Sequence, residues 1–165
     1  PSDINYFILI NNKRKKIIDT LRSRSLELKI FFSTKEKISI LNKLEENFGV
    51  ISQPYSNFIS QTTPGTLIKV TECLSSLNLN KDINLNESVE ILLDKLKNKK
   101  NEIYLESIKF LLDHEIEKKL KIKNYNFLNL GFIKKNITKV LFEYENFGLS
   151  KNSVLESFKA ISKNV

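Results

Sequence analysis

The side chains with the most evident chemistry are two guanidinium groups one residue apart, Arg22 and Arg24, in the run Thr20-Leu21-Arg22-Ser23-Arg24-Ser25. The chain carries 27 basic residues, yet its only arginines are Arg14, Arg22 and Arg24. Arginine holds its charge at every physiological pH and presents a planar fork of N–H donors that fits phosphate oxygens, whereas lysine offers a point charge. Guanidinium groups kept together in a lysine-biased chain point to anion recognition. A solvated loop is the other reading that spacing alone allows.

Other candidate chemistry is sparse. His114 lies in Leu112-Asp113-His114-Glu115 inside a helical pattern and reads as a solvated helix residue rather than a general base. Cys73 falls on an apolar helix face near Val70 and Leu77, without a histidine beside it, and reads as a small buried hydrophobe. One Cys and one His cannot build a multi-ligand zinc site. The glycines Gly49, Gly65, Gly131 and Gly148 are isolated, and none belongs to a GxxxxGK[ST] phosphate loop. The carboxylates are scattered along helix surfaces with no acid–base couple among them. No complete active site is expected within the chain, and no metal or cofactor of its own.

Composition sets the class. A length of 165 residues, 41% hydrophobic and 28% charged, describes a globular chain of one ordinary domain or two small ones. No signal-peptide pattern and no apolar run of membrane-spanning length is present, so no membrane partner is expected. The lone cysteine excludes an internal disulfide and suits a reducing compartment, so a cytoplasmic location is expected. The sequence has no Met and begins at Pro1, which suggests processing or a piece of something longer. The net charge of +8 reflects in part a general inflation of Lys, Asn and Ile. Its distribution is more telling. Residues 1–30 hold seven basic side chains against three acidic ones, half of the net charge in under a fifth of the chain. That segment is expected to face something anionic.

These residues must be held by elements legible in the pattern. Tyr6 to Ile10 is an unbroken apolar run of strand length, and residues 26–30 alternate as a second strand would. From Ser33 the periodicity is helical. Ser33 and Glu36 form a capping-box pair before the apolar positions Ile38, Leu41, Leu44 and Phe48, and Gly49 closes the helix. A short helix near 55–61 follows, then one opened by Thr63-Pro64. Residues 78–86 are polar and read as a linker, and helices at about 86–98, 101–120, 125–147 and from Ser150 onward complete the chain. The expected fold is mainly α: the tail of an α/β domain over 1–32 with one or two strands, a three-helix unit over 33–77, and a helical bundle over 78–165.

The ungapped stretch from Phe7 to about Leu28 resembles the AAA+ clamp-loader ATPase family. Its members carry an apolar strand ending in small polar residues, a helix, then an xTIxSRC motif, here Thr20-Leu21-Arg22-Ser23-Arg24-Ser25 with serine in place of cysteine. Ser60-Gln61-Thr62-Thr63-Pro64-Gly65-Thr66-Leu67 is similar to the GSPGxAL segment opening the last lid helix of δ′-type members. The resemblance implies a C-terminal portion that begins near the end of the AAA+ domain, followed by a lid over 33–77 and an oligomerising collar over 78–165. It implies that Arg24 is an arginine finger serving ATP and Mg bound by a neighbouring subunit, with Ser23 positioning it. Asn11 and Asn12 fall at the sensor-1 position, and Gly65 replaces the sensor-2 arginine of hydrolysing members. Function would be loading of the sliding clamp onto primed DNA for DNA polymerase III, with the other loader subunits, the clamp and DNA as partners. Lys13, Arg14, Lys15 and Lys16 read as a solvated helix start that could also lie near duplex DNA. Phe127, Phe132, Phe142, Tyr144 and Phe147 sit at helical spacing and read as core or collar interface. The competing expectations are a stand-alone basic helical module binding nucleic acid through residues 1–30, and a helical scaffold without a catalytic role.

Overall fold

The structure, a computed structural model, describes residues 7–10, 17–49, 55–79, 84–99, 101–121 and 127–163. The chain divides into two units, Pro1–Phe32 and Ser33–Val165. Within the first, the described residues contain one short helix, α1 (Asp19–Arg22). In the second, α2 (Thr34–Phe48) is followed by a 3₁₀ helix (Ser56–Ser60), α3 (Pro64–Ser76), α4 (Leu85–Lys99), α5 (Glu102–Leu120), α6 (Phe127–Phe147) and α7 (Lys151–Lys163).

The strand expectation is corrected. Residues 7–10 and 26–30 belong to no strand, and Phe7 and Ile10 are 86% and 94% exposed where a doubly covered strand would bury them. Leu26, Leu28 and Ile30 are exposed as well. A strand exists only through its ladder, because an extended backbone leaves its N–H and C=O groups unpaired until a neighbour supplies partners. The described residues of Pro1–Phe32 supply none.

The helix boundaries follow from local chemistry. At the start of α2 the Glu36 N–H donates to Ser33 Oγ at 3.3 Å, while the Ser33 N–H and hydroxyl both donate to Glu36 Oε2 at 2.7 Å. The capping box is therefore complete. Gly49 ends the helix at φ 62°, a left-handed conformation that costs glycine little. Thr63 caps α3 by accepting the Thr66 N–H, with Pro64 in the first turn where its missing N–H does no harm. The end of α3 is a Schellman turn. Leu79 N–H donates to Leu74 C=O and Asn78 N–H to Ser75 C=O, with Asn78 at φ 54°. Leu79 is buried, so the polar 78–86 segment begins with an apolar anchor that its composition hides. Asn101 caps α5, and Ser150 caps α7 by accepting the Ser153 N–H.

Helices α4 to α7 pack as a closed ring, α4 on α5, α5 on α6, α6 on α7 and α7 on α4. Val89, Leu92, Leu93, Ile108, Leu112, Ile137, Leu141, Val154, Phe158 and Ile161 fill its centre. Each large side chain so buried contributes about 1.5–3 kcal/mol relative to exposure. Lys151 straps α7 to α4 with ion pairs to Asp94 at 2.7 Å and Glu90 at 3.0 Å. On the other side of α5 lies α3, with α2 on α3, and the same continuous core runs from Leu41 to Ile161. Gln61 Nε2 also donates to Glu117 Oε2 at 2.7 Å, so the 33–77 and 78–165 segments are joined by polar as well as apolar contact.

Candidate functional site

Arg24 sits in the turn that ends α1. The helix spans one turn, and Ser23 closes it by donating its backbone N–H to Asp19 C=O at 2.9 Å. Two hydroxyls then tie the turn to the helix. Ser23 Oγ donates to Thr20 C=O at 3.2 Å, and Ser25 Oγ to Leu21 C=O at 2.7 Å. Arg24 N–H itself donates to Leu21 C=O at 3.2 Å. The Ser23 hydroxyl thus serves a carbonyl that a short helix leaves open, the Ser25 hydroxyl joins the Arg24 N–H on the Leu21 carbonyl, and together they set the backbone direction at Arg24.

The two arginines differ. Arg22 Nε lies 3.7 Å from Glu27 Oε2, a solvent-exposed pair whose energy is small but whose geometry turns the guanidinium back on its own chain. Arg24 is exposed, and among the described residues no carboxylate pairs with it. Its fork of donors is therefore open to an external anion, whereas Arg22 has an internal one. Ser25, where the resembled motif has cysteine, serves the turn through its hydroxyl.

Of the other residues singled out from the sequence, Asn11, Asn12, Lys13, Arg14, Lys15 and Lys16 lie outside the described residues. Gly65 is the second residue of α3 and is exposed, and a side chain built there meets nothing within 4 Å. Its lack of a side chain is thus a chemical difference rather than a steric necessity. Arg24 and Gly65 fall in different units.

His114 is corrected from a solvated residue to a packed one. Its ring lies 4.8 Å from that of Phe58 and 5.5 Å from that of Tyr55, and Phe110 completes the cluster edge-on to Tyr55 at 5.3 Å. These rings seat the 3₁₀ helix on α5. Burial pushes the Tyr55 phenol pKa up. Cys73 is buried as read, between α3 and α5. Burial raises its thiol pKa and the neighbouring Ser107 hydroxyl opposes the rise, although Ser107 Oγ itself has no partner at hydrogen-bond geometry. Among the described residues no three His, Cys, Asp or Glu side chains converge as a metal site would need.

The aromatic residues of α6 separate in the structure. Tyr144 packs against the core, while Phe132, Phe142 and Phe147 are exposed, and the side chain of Phe127 lies outside those described. A shallow groove of about 550 Å³ runs along the outer side of α6 between Gly131, Lys134, Lys135, Thr138, Lys139 and Phe142. The sequence reading assigned these lysines no role, although their recurrence among Phe residues at spacings of three and four marked a common helix face. Among the described residues no helix is long and apolar enough to cross a membrane. No family model, curated protein or solved structure matches the chain.

Proposed function

We propose that this chain is a δ′-type subunit of a clamp loader, contributing Arg24 to the ATP site of a neighbouring subunit during loading of the sliding clamp onto primed DNA. The observation that carries the reading is the exposed guanidinium of Arg24, unpaired among the described residues, on a turn tied by Ser23 and Ser25 within the run that resembles the family's finger motif. In that role the nucleotide and its Mg belong to the neighbour. The planar fork of Arg24 would hold phosphoryl oxygens as charge redistributes in transfer, in a site completed only by assembly. Gly65 at the position of a phosphate-sensing arginine fits a subunit that does not itself hydrolyse ATP. The helices beyond residue 78 would dock other subunits. The lone cysteine suits a cytoplasmic protein.

The test is to assemble the full chain with clamp-loader motor subunits, clamp and primed DNA, then replace Arg24 by Ala or Lys. Loss of an arginine finger lowers turnover at the site it serves by about 10³-fold or more, and lysine should not restore it. Unchanged clamp- and DNA-stimulated ATPase in both variants would falsify the reading. A second reading, a basic module that binds nucleic acid by itself, is favoured by the charge concentrated in residues 1–30. It predicts salt-steep DNA binding by the isolated chain, which the clamp-loader reading does not. Inactivity of the chain in both assays would leave the helical scaffold.

A further inference from the structure

We infer that the outward face of α6 is a docking seam for an amphipathic helix of a partner protein that presents carboxylates at its centre. The proposal does not depend on the role assigned to Arg24. It begins with spacing. Leu128, Phe132, Lys135, Lys139 and Phe142 follow one another at intervals of four, three, four and three residues. That is the rhythm of a seam facing a second helix, since positions so spaced stay on one side of a helix as it winds.

The core of the molecule uses the opposite side of α6. Leu130, Ile137 and Leu141 are buried, with Ile133, Val140 and Tyr144 packed beside them. The seam is exposed instead, with Leu128 at 84%, Phe132 at 73% and Phe142 at 55%. At its C-terminal end Phe147 stacks edge-on against Phe142, ring centroids 6.0 Å apart, which widens the apolar surface there. Gly131 contributes no side chain beside the seam, and the groove between it and Phe142 is open to an approaching ridge. A glycine inside a helix costs roughly 1 kcal/mol against alanine, a cost tolerated where close approach is gained.

Charge selects the occupant. The seam is apolar at both ends and cationic in the middle, where Lys135 and Lys139 stand a turn apart. A second copy packed antiparallel over the same seam would bring Lys135 and Lys139 against their own equivalents, four ammonium groups in one place, so self-pairing is opposed. A nucleic-acid strand requires a run of available cations. Here Lys134 is bound to Asp113 at 2.6 Å and Lys139 lies 3.7 Å from Glu143, so the three lysines do not form the run of available cations that a phosphate backbone needs, while a single carboxylate requires only one. A helix with apolar outer positions and one or two central carboxylates meets all three parts of the seam. Lys135, unpaired among the described residues, is the anchor, and Lys139 exchanges an exposed pair within its own helix for one across the interface.

The test titrates the full 165-residue chain with a synthetic amphipathic helix carrying Leu at the outer seam positions and Glu at the central ones. Its twin carries Lys in place of Glu, and a single-stranded thymidine oligonucleotide serves as the third probe. The acid-centred helix should bind saturably, with a Kd about tenfold or more below that of its twin. The double variant Lys135→Glu/Lys139→Glu should invert that preference. Phe132→Ala with Phe142→Ala should weaken binding about tenfold while leaving the thermal melt intact, as expected for exposed anchors. Equal affinity for both helices, no binding of either, or tighter binding of the oligonucleotide overturns the proposal. Concentration-dependent dimerisation abolished by Phe132→Ala overturns it in favour of a second copy. All these variants leave Arg24 in place, so a failed seam with normal stimulation of the neighbour's ATPase refutes this inference alone.

Discussion

At the scale of single residues, the same side chain means different things by its surroundings. Arg22 and Arg24 are chemically identical, and Glu27 draws one of them back onto its own chain while the other stays open. Cys73 and Ser107 face each other from α3 and α5 in a buried place where neither can do solution chemistry. Burial holds the Cys73 thiol pKa above its usual value, the Ser107 hydroxyl opposing it. The folded value is therefore raised over the unfolded one of about 8.5. The sign follows by linkage. The neutral thiol's contribution to stability is complete below the unfolded pKa and is lost as pH rises through the folded one. Alkylation by iodoacetamide at pH 8 is expected to be slow in the native protein and fast in urea. Equal rates in the two states would show that Cys73 is accessible and the α3–α5 contact misassigned.

At the scale of elements, α2 and α3 offer opposite tests of their first turns. The Ser33 hydroxyl, and secondarily its N–H, hold the Glu36 carboxyl below the usual carboxylate range. A depressed carboxyl contributes stability above its unfolded pKa and loses it as pH falls through the folded one. Ser33→Ala is expected to destabilise the protein by about 1 kcal/mol near neutral pH. The difference from the parent should narrow in acid, as pH falls through the depressed folded-state pKa and the Glu36 carboxyl is protonated in both proteins. Urea denaturation at the two pH values checks this, and a constant difference would place the loss elsewhere than in the Glu36 bond. Gly65→Ala on α3 should go the other way, raising stability by about 0.5 kcal/mol, because the added methyl meets open space and the unfolded chain loses freedom. A fall in the melting temperature would show that the site is more crowded than its geometry indicates. Most element ends were legible because each is a local chemical event: Ser33 with Glu36, Thr63 with Pro64, Ser150 and Gly49. Strands are absent at the described residues 7–10 and 26–30 because an apolar run has strand character only when another segment pairs with it.

At the scale of the whole molecule, every buried apolar residue among those described lies in Ser33–Val165, from Leu41 to Ile161. The chain truncated to 33–165 is therefore expected to unfold in a single cooperative transition with a melting temperature close to that of the full chain. Circular dichroism on the two proteins decides this, and a broad or much lower melt would show that residues 1–32 support the core. Leu92 of α4 and Phe158 of α7 both belong to that core, and the Lys151 pairs to Asp94 and Glu90 bind the same two helices at the surface.

What the sequence determined by itself was the helical content from Ser33 onward, the apolar stripe of each helix and the run around Arg24 that resembles a finger motif. These depend on residues within a few positions of one another, and periodicity and capping are local. Only the tertiary structure decided which stripes have a partner. It placed His114 among Phe58, Tyr55 and Phe110, made Leu79 an anchor within a polar segment, and left Phe132 and Phe142 outside the ring that buries Ile137 and Leu141. A helix with apolar residues on two faces does not announce which face the core will take. That choice rests on contacts between residues far apart in the chain, and on α6 it left over a seam with lysines at its centre.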